Sequence, residues 1–339
     1  MNILFDLVHP ADVNLFKQSI LTLKQDGHNV IITLRKRGAL QRIAVSEFPE
    51  FNIIIVGSHK KKLISKVLAF IGREFRFLKL LKKLKVDVAV CQGVTFGFSC
   101  KILKIPLIHH DDDHEYRFSF LLGKYLSTKD IMPDFMPVYG SNFVKYKGFK
   151  ELAYLHPKYF KPDTGCLDIH NLTPYNYVFI REISNVSVNY QGRSSYLLEI
   201  LDYLKEKELY AVLSLEDKSI IAGDNAHARV LQEPITDLYS LMYYARFIIS
   251  AGDTMARESS LMGVPCIYTG GRSMSVNDVL IQKGIMFKLD NEKEIKKQID
   301  KLCDLENGQE LRENMSKFVN TNYDDLNKIF VEQILNIQQ

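Results

Sequence analysis

Along this chain, short apolar runs alternate with segments whose apolar residues recur at helical spacing. In the first half, the runs at 2–7, 29–34, 52–56, 87–91 and 106–110 predict strands. Val13, Phe16, Ile20 and Leu23 mark one face of a helix over 13–25 that Gly27 stops, and 40–48 and 96–103 predict two more helices. A longer amphipathic segment covers 63–84. The second half repeats the rhythm, with strands at 177–180, 209–215, 228–231, 247–249 and 266–268 and helices at 194–205 and 237–244. Two closing segments, 292–305 and 309–337, read as helices. Regular alternation of this kind predicts an α/β protein built on doubly wound parallel sheets.

The rhythm breaks between 155 and 175, where Pro157, Pro162 and Pro174 fall in a stretch with little apolar periodicity. We therefore expect a first domain over 1–160 and a second over 175–339, with the final helix available to pack back on the first. Two such halves joined by a linker are expected to form a cleft that both sheets' carboxyl edges face.

Composition narrows the class. The 339 residues suffice for two cores, and 46% hydrophobic with 25% charged residues excludes a disordered chain. A formal charge of +4 gives no argument for nucleic acid as a partner. Cys91, Cys100, Cys166, Cys266 and Cys303 have no metal-ligand spacing and read as reduced thiols. No apolar run is long enough to span a bilayer. The chain opens directly on a strand, so a cytoplasmic protein is expected, with the inner face of the cytoplasmic membrane as an alternative location.

The candidate chemistry centres on 247–268. An apolar strand meets a small-residue turn, Ser250-Ala-Gly252, then a helical segment, and Gly263 and Pro265 reset the chain for another strand. A helix that starts at such a turn offers unpaired N–H groups to a phosphate. Gly252, Asp253 and Thr254 would face a diphosphate, and Glu258, one helical turn beyond Thr254, is placed to accept hydrogen bonds from a ribose. Arg181 follows the strand at 177–180 and suits the same diphosphate; the competing reading is a surface ion pair with Glu182. Gly271, in Gly270-Gly-Arg-Ser273, adds a flexible turn beside that site.

In the first half, His9 and Asp12 follow the first strand. Asp12 reads as the N-cap of the next helix, whereas His9 has no comparable structural role. The run His109-His-Asp-Asp-Asp-His-Glu115 follows the fifth strand and supports three readings: a general base drawn from Asp113, His114 or Glu115, a divalent-cation site, or a solvated turn. The segment 59–85 is strongly basic with Glu74 as its one acid, and reads either as an anionic-membrane contact or as a crossover helix with a solvated face.

These residues carry a resemblance. Ser250 to Pro265 resembles the nucleotide-sugar motif of GT-B glycosyltransferases and of non-hydrolysing UDP-N-acetylglucosamine 2-epimerases. Asp6 to Phe16, Asp111 to Glu115 and Tyr146-Lys-Gly-Phe-Lys-Glu-Leu-Ala-Tyr-Leu-His156 resemble domain-of-unknown-function family 354, over nearly the whole chain. The resemblance implies a GT-B type fold, two Rossmann-like doubly wound domains facing a cleft, with the nucleotide sugar held mainly by the second. In it Glu258 matches the acid that holds the ribose, and Gly252, Asp253 and Thr254 match the diphosphate turn. Val94 stands where the epimerases carry a catalytic Asp, and Phe179-Ile-Arg181 keeps their Arg but lacks their His. Both departures remove acid/base groups that epimerisation needs. The resemblance thus implies a metal-independent glycosyltransferase of cell-surface glycan assembly. Its donor would be a nucleotide sugar, UDP-linked, with no other cofactor, and its acceptor a glycan or lipid-linked molecule. His9 or the 111–115 run would serve as its base. A nucleotide-sugar epimerase or hydrolase, and a non-catalytic nucleotide-sugar binding protein, are the alternatives.

Overall fold

The computed structural model describes residues 1–58, 63–93, 96–113, 117–183, 195–221, 226–232, 235–305 and 307–338. The chain forms two compact units, Met1–Tyr154 with Tyr323–Gln339, and Leu155–Asn322. Each unit holds one wholly parallel sheet with helices on its faces, as the alternating pattern predicts.

The first sheet contains β1 (Asn2–Leu7), β2 (Asn29–Lys36), β3 (Ile53–Ser58), β4 (Val88–Cys91), β5 (Leu107–His110), β6 (Lys129–Pro133) and β7 (Phe143–Tyr146), in the order β3-β2-β1-β4-β5-β6-β7. The second contains β8 (Tyr177–Glu182), β9 (Tyr210–Leu215), β10 (Ala228–Val230), β11 (Phe247–Ser250), β12 (Cys266–Tyr268) and β13 (Met286–Lys288), in the order β10-β9-β8-β11-β12-β13. The order reverses between β1 and β4 and again between β8 and β11. At such switch points neighbouring crossovers leave in opposite directions and open a crevice at the strands' carboxyl ends. Central strands such as β4 and β5 are buried on both faces, which is why they read as unbroken apolar runs. β6, β7 and β13 escape the pattern. β6 starts on Lys129-Asp130 and ends on Pro133, and β7 and β13 are only four and three residues long.

Burial at the first switch point is not purely apolar. The helix Leu63–Lys83 lays Phe77 and Leu81 on the sheet and turns two charges inward with them. Arg73 donates from Nη1 and Nη2 to the fully buried Asp6 carboxylate at 2.9 and 2.7 Å, and from Nε to the Val56 carbonyl at 2.8 Å. Glu74 accepts from the Ser99 N–H at 2.8 Å and so caps the helix Gly97–Leu103. The basic segment is therefore a packed crossover helix at these positions; its residues 59–62 lie outside the described residues. The C-terminal helix Leu326–Leu335 belongs to the first core, where Phe330 meets Phe16 with ring centroids 5.2 Å apart.

Candidate functional site

In the second unit, β11 ends at the switch point and the helix Asp253–Leu261 begins immediately beyond it. Gly252 is its N-cap, in extended backbone, and supplies no side-chain cap. A glycine N-cap brings no side chain of its own to the first-turn N–H groups, an arrangement that suits a phosphate. A Cβ on Gly252 would meet nothing closer than Ile183 Cγ2 at 3.7 Å, and the backbone angle does not demand glycine. Folding does not require glycine here; what it leaves is open approach to the helix start. Gly252→Ala is expected to keep the wild-type melting temperature and to weaken nucleoside diphosphate binding about tenfold, read by calorimetry alongside a thermal melt.

Glu258 follows on the same helix, one turn beyond Thr254, and is 5% exposed. Its Oε1 accepts from the Tyr239 hydroxyl at 3.1 Å, which fixes the carboxylate's direction. Asp253 is tied down by the Tyr268 hydroxyl and by Arg272 Nη1 at 2.9 Å. Gly271 has φ +77°, a left-handed conformation that suits glycine, in the turn that carries Arg272 back to this carboxylate. Arg272, which the pattern did not single out, thus stands at the helix start with a guanidinium. Arg181 does form an ion pair, with Glu216 at 2.7 Å and not with the Glu182 of the competing reading, and it also donates to Ser214 Oγ at 3.0 Å. Residues 184 and 185 of the resembling strand end lie outside the described residues.

In the first unit, β1 delivers His9 to the carboxyl edge. The N-cap of the following helix, Pro10–Gln25, is His9 and not Asp12. His9 Nδ1 accepts the Ala11 N–H at 3.2 Å, while Asp12 accepts the N–H groups of Val8 and His9 at 2.7 and 2.9 Å. The expectation failed because Pro10 opens the helix three residues earlier than the apolar spacing indicates, moving Asp12 to the third helical position of a capping box. Although His9 keeps an exposed face, crowding by the surrounding protein, then the charges of Arg37, Lys150 and Arg35, lower its pKa to about 4. The ring is neutral near pH 7, and with Nδ1 accepting, its proton sits on Nε2.

β5 delivers the acidic run, and burial excludes the solvated-turn reading for its first four residues. His109 and His110 are 0% exposed, Asp111 9% and Asp112 5%. His109 spans Asp130 Oδ1 (3.0 Å) and the Gln92 carbonyl (2.7 Å). Gly123 lets a helix approach it closely, since a Cβ there would lie 2.7 Å from His109 Cε1. Asp112 pairs with Lys150 at 2.7 Å. Asp111 accepts the Asp113 N–H at 2.9 Å, and burial lifts its pKa to about 6. His114 and Glu115, like Val94 and Thr95, lie outside the described residues. Among the described residues no group of three or more His, Cys, Asp or Glu is placed to hold a metal ion.

His109 sets a pH dependence. Burial alone would lower its pKa, but the charge and hydrogen bond of Asp130 outweigh that and raise it to about 9. A histidine raised above its unfolded value of about 6.5 contributes stability in full below that pH and loses it as pH climbs toward 9. Asp12 and Asp111, raised to about 6, and His110, lowered to about 3, act on the acid side of this window. The melting temperature is therefore expected to fall between pH 6.5 and 8.5. His109→Gln should lower it overall and flatten that slope.

A family model described as "Protein of unknown function (DUF354)" matches residues 1–339. A curated protein of Methanocaldococcus jannaschii, "Uncharacterized protein MJ0665", is 25% identical over 315 residues, which cover 87% of this chain and 89% of that protein. Among solved structures, the UDP-GlcNAc 2-epimerase of Neisseria meningitidis bound to UDP-GlcNAc aligns with a TM-score of 0.73 at 14% identity, covering 99% of this chain and 100% of that one. MurG of Acinetobacter baumannii aligns with a TM-score of 0.61 at 14% identity, covering 99% of each chain. These likenesses establish the fold, two Rossmann-like units of the GT-B type.

Proposed function

The chain belongs to the DUF354 family, and from that premise we propose that it is a GT-B glycosyltransferase whose donor is a nucleoside diphosphate sugar, UDP-linked, used without a metal ion. The carrying observation is the helix Asp253–Leu261, which starts at a glycine N-cap on the carboxyl edge of the sheet, with the buried Glu258 one turn beyond Thr254. The helix N-terminus, with Arg272 and Arg181 near its turn, supplies positive charge to the departing diphosphate, and Glu258 receives the ribose hydroxyls. Transfer to a hydroxyl also needs a base. Asp111, lifted to about 6, and Asp113 beside it are the described carboxylates suited to it, with His114 and Glu115 as further candidates in the same run. His9 is recast: with its proton on Nε2 it donates a hydrogen bond and does not accept a proton. A panel of nucleoside diphosphates and their sugars tests this reading, first by heat shift and then by product analysis with and without acceptors. Sugar conversion with solvent deuterium incorporation, and no need for an acceptor, would replace transferase by epimerase. Nucleotide binding that yields no product from any pairing would leave a binding protein.

The acceptor side points to an anionic membrane. In the first unit, three neighbouring helices, Leu63–Lys83, Gly97–Leu103 and Arg117–Leu126, expose Leu68, Ile71, Phe75, Ile102, Leu121 and Tyr125 by 46 to 66%. On the first and third helices these lie three or four residues apart and so share a face. Phe70 meets Phe98 at 6.3 Å, and Lys101 Nζ lies 3.4 Å from the Tyr125 ring centroid, which joins the three faces into one. Arg76, Lys79, Lys82, Lys101 and Lys124 are exposed among them, and the helices' one carboxylate, Glu74, is buried. Apolar residues among unopposed cations suit an anionic leaflet, and among the described residues no helix is long and apolar enough to cross it. The protein is expected to float with phosphatidylglycerol vesicles and not with phosphatidylcholine ones. Arg76→Glu/Lys79→Glu should cut binding about tenfold or more. Concentration-dependent dimers that bury this face, without vesicle binding, would reassign it to a second copy.

A further inference from the structure

Two arginine side chains at the carboxyl edge of the first sheet have no partner among the described residues. Arg35 lies in β2, where Leu34 is in register with Leu7 of β1, so it stands beside the chain that leads into His9. Arg37 follows just beyond the end of β2, and its charge, like that of Arg35, acts on His9. Both are half-buried, and Arg35 Nε is buried with no hydrogen-bond partner. The surrounding carboxylates are already engaged. Asp6 holds Arg73 and the Thr33 hydroxyl, Asp12 holds the N–H groups of Val8 and His9, and Asp112 holds Lys150. Neither the Arg35 nor the Arg37 side chain has a hydrogen bond or ion pair with the described residues. Guanidinium groups withdrawn from water are ordinarily matched by a carboxylate or a ligand, because an unpaired charge there is costly.

We propose that Arg35, Arg37 and the Nε2–H of His9 form a phosphate-binding site in the first unit, and that it holds a phosphoryl group on the acceptor. Arginine suits the role, since its planar fork matches phosphate oxygens two at a time. The neighbourhood agrees: the charges of Arg37, Lys150 and Arg35 all act on His9, and burial, followed by Arg73 and Arg37, depresses Arg35 itself. A bound phosphate relieves that crowding and gives the buried Nε an acceptor. Naming the ligand as the acceptor rests on the transferase reading; phosphate binding does not.

The test is calorimetric titration of the full chain with glycerol 3-phosphate and with farnesyl phosphate in detergent, each beside a titration with UDP. Wild type should bind at least one of the phosphates; binding of both assigns the site to the phosphoryl group alone, and binding of farnesyl phosphate only assigns it to a lipid-linked phosphate. Arg35→Gln/Arg37→Gln should lose phosphate affinity about tenfold or more and keep UDP affinity. Arg37→Gln alone, at the more open position, serves if the double variant fails to fold. Glu258→Gln should do the reverse, losing UDP and keeping phosphate. Absence of phosphate binding in wild type, or its survival in the double variant, overturns the proposal. Parallel loss of UDP binding in the arginine variant also overturns it, by assigning the two residues to the donor's diphosphate. Failure of UDP to bind wild type while the phosphates bind would overturn the donor reading and leave this one standing.

Discussion

Arg73→Met is expected to destabilise the protein by about 3–5 kcal/mol, the usual cost of removing one partner from a buried ion pair. Asp6 is 0% exposed and Arg73 3%, so the carboxylate left behind has no water to turn to. The Thr33 hydroxyl would remain on Asp6 Oδ1 at 2.8 Å, but the bidentate guanidinium would be gone and the Val56 carbonyl would lose that donor. The stacking of Arg73 on Phe77, 4.8 Å from the ring centroid, would be replaced by methionine, so packing contributes little to the loss. Asp6→Asn/Arg73→Met should recover much of the stability, because it removes both charges together. Urea unfolding of the single and double variants measures the difference; a single variant within 1 kcal/mol of wild type would show the pair to be dispensable.

Glu258→Gln is expected to lower UDP affinity by roughly a hundredfold while leaving the fold intact. The carboxylate is oriented by Tyr239 and accepts hydrogen bonds only, as two ribose hydroxyls require. An amide presents one acceptor where two are needed, and hydrogen bonds to a charged group are worth about 1.5–3 kcal/mol each. Weakening the Tyr239 bond costs about 1 kcal/mol of stability. Glu258→Asp keeps the charge but withdraws it by one methylene, and should fall between the two. Isothermal titration resolves all three.

How legible these features were in the sequence depends on how local their physics is. The alternation of apolar runs and helices is local, and it revealed both sheets, because parallel strands buried on two faces leave unbroken apolar runs. The turn at Gly252 and the position of Glu258 were visible for the same reason: strand, turn, helix and strand follow one another within 22 residues. Tertiary pairings were not visible. Arg73 sits in a basic segment that looks solvated, and only the crossover from β3 to β4 brings it to Asp6, 67 residues away. His109 and Asp130 meet across neighbouring strands, and Arg272 reaches Asp253 through a turn set by Gly271. His9 shows a further limit. Pro10 signals an early helix start, and reading it as such would have identified His9 as the cap and Asp12 as its partner.

The most direct test of the account is a crystal structure of the protein soaked with UDP. The account predicts the diphosphate within hydrogen-bond distance of the backbone N–H groups at the start of the helix Asp253–Leu261, and the ribose hydroxyls on Glu258. UDP bound elsewhere, or an empty helix start at saturating nucleotide, would contradict it.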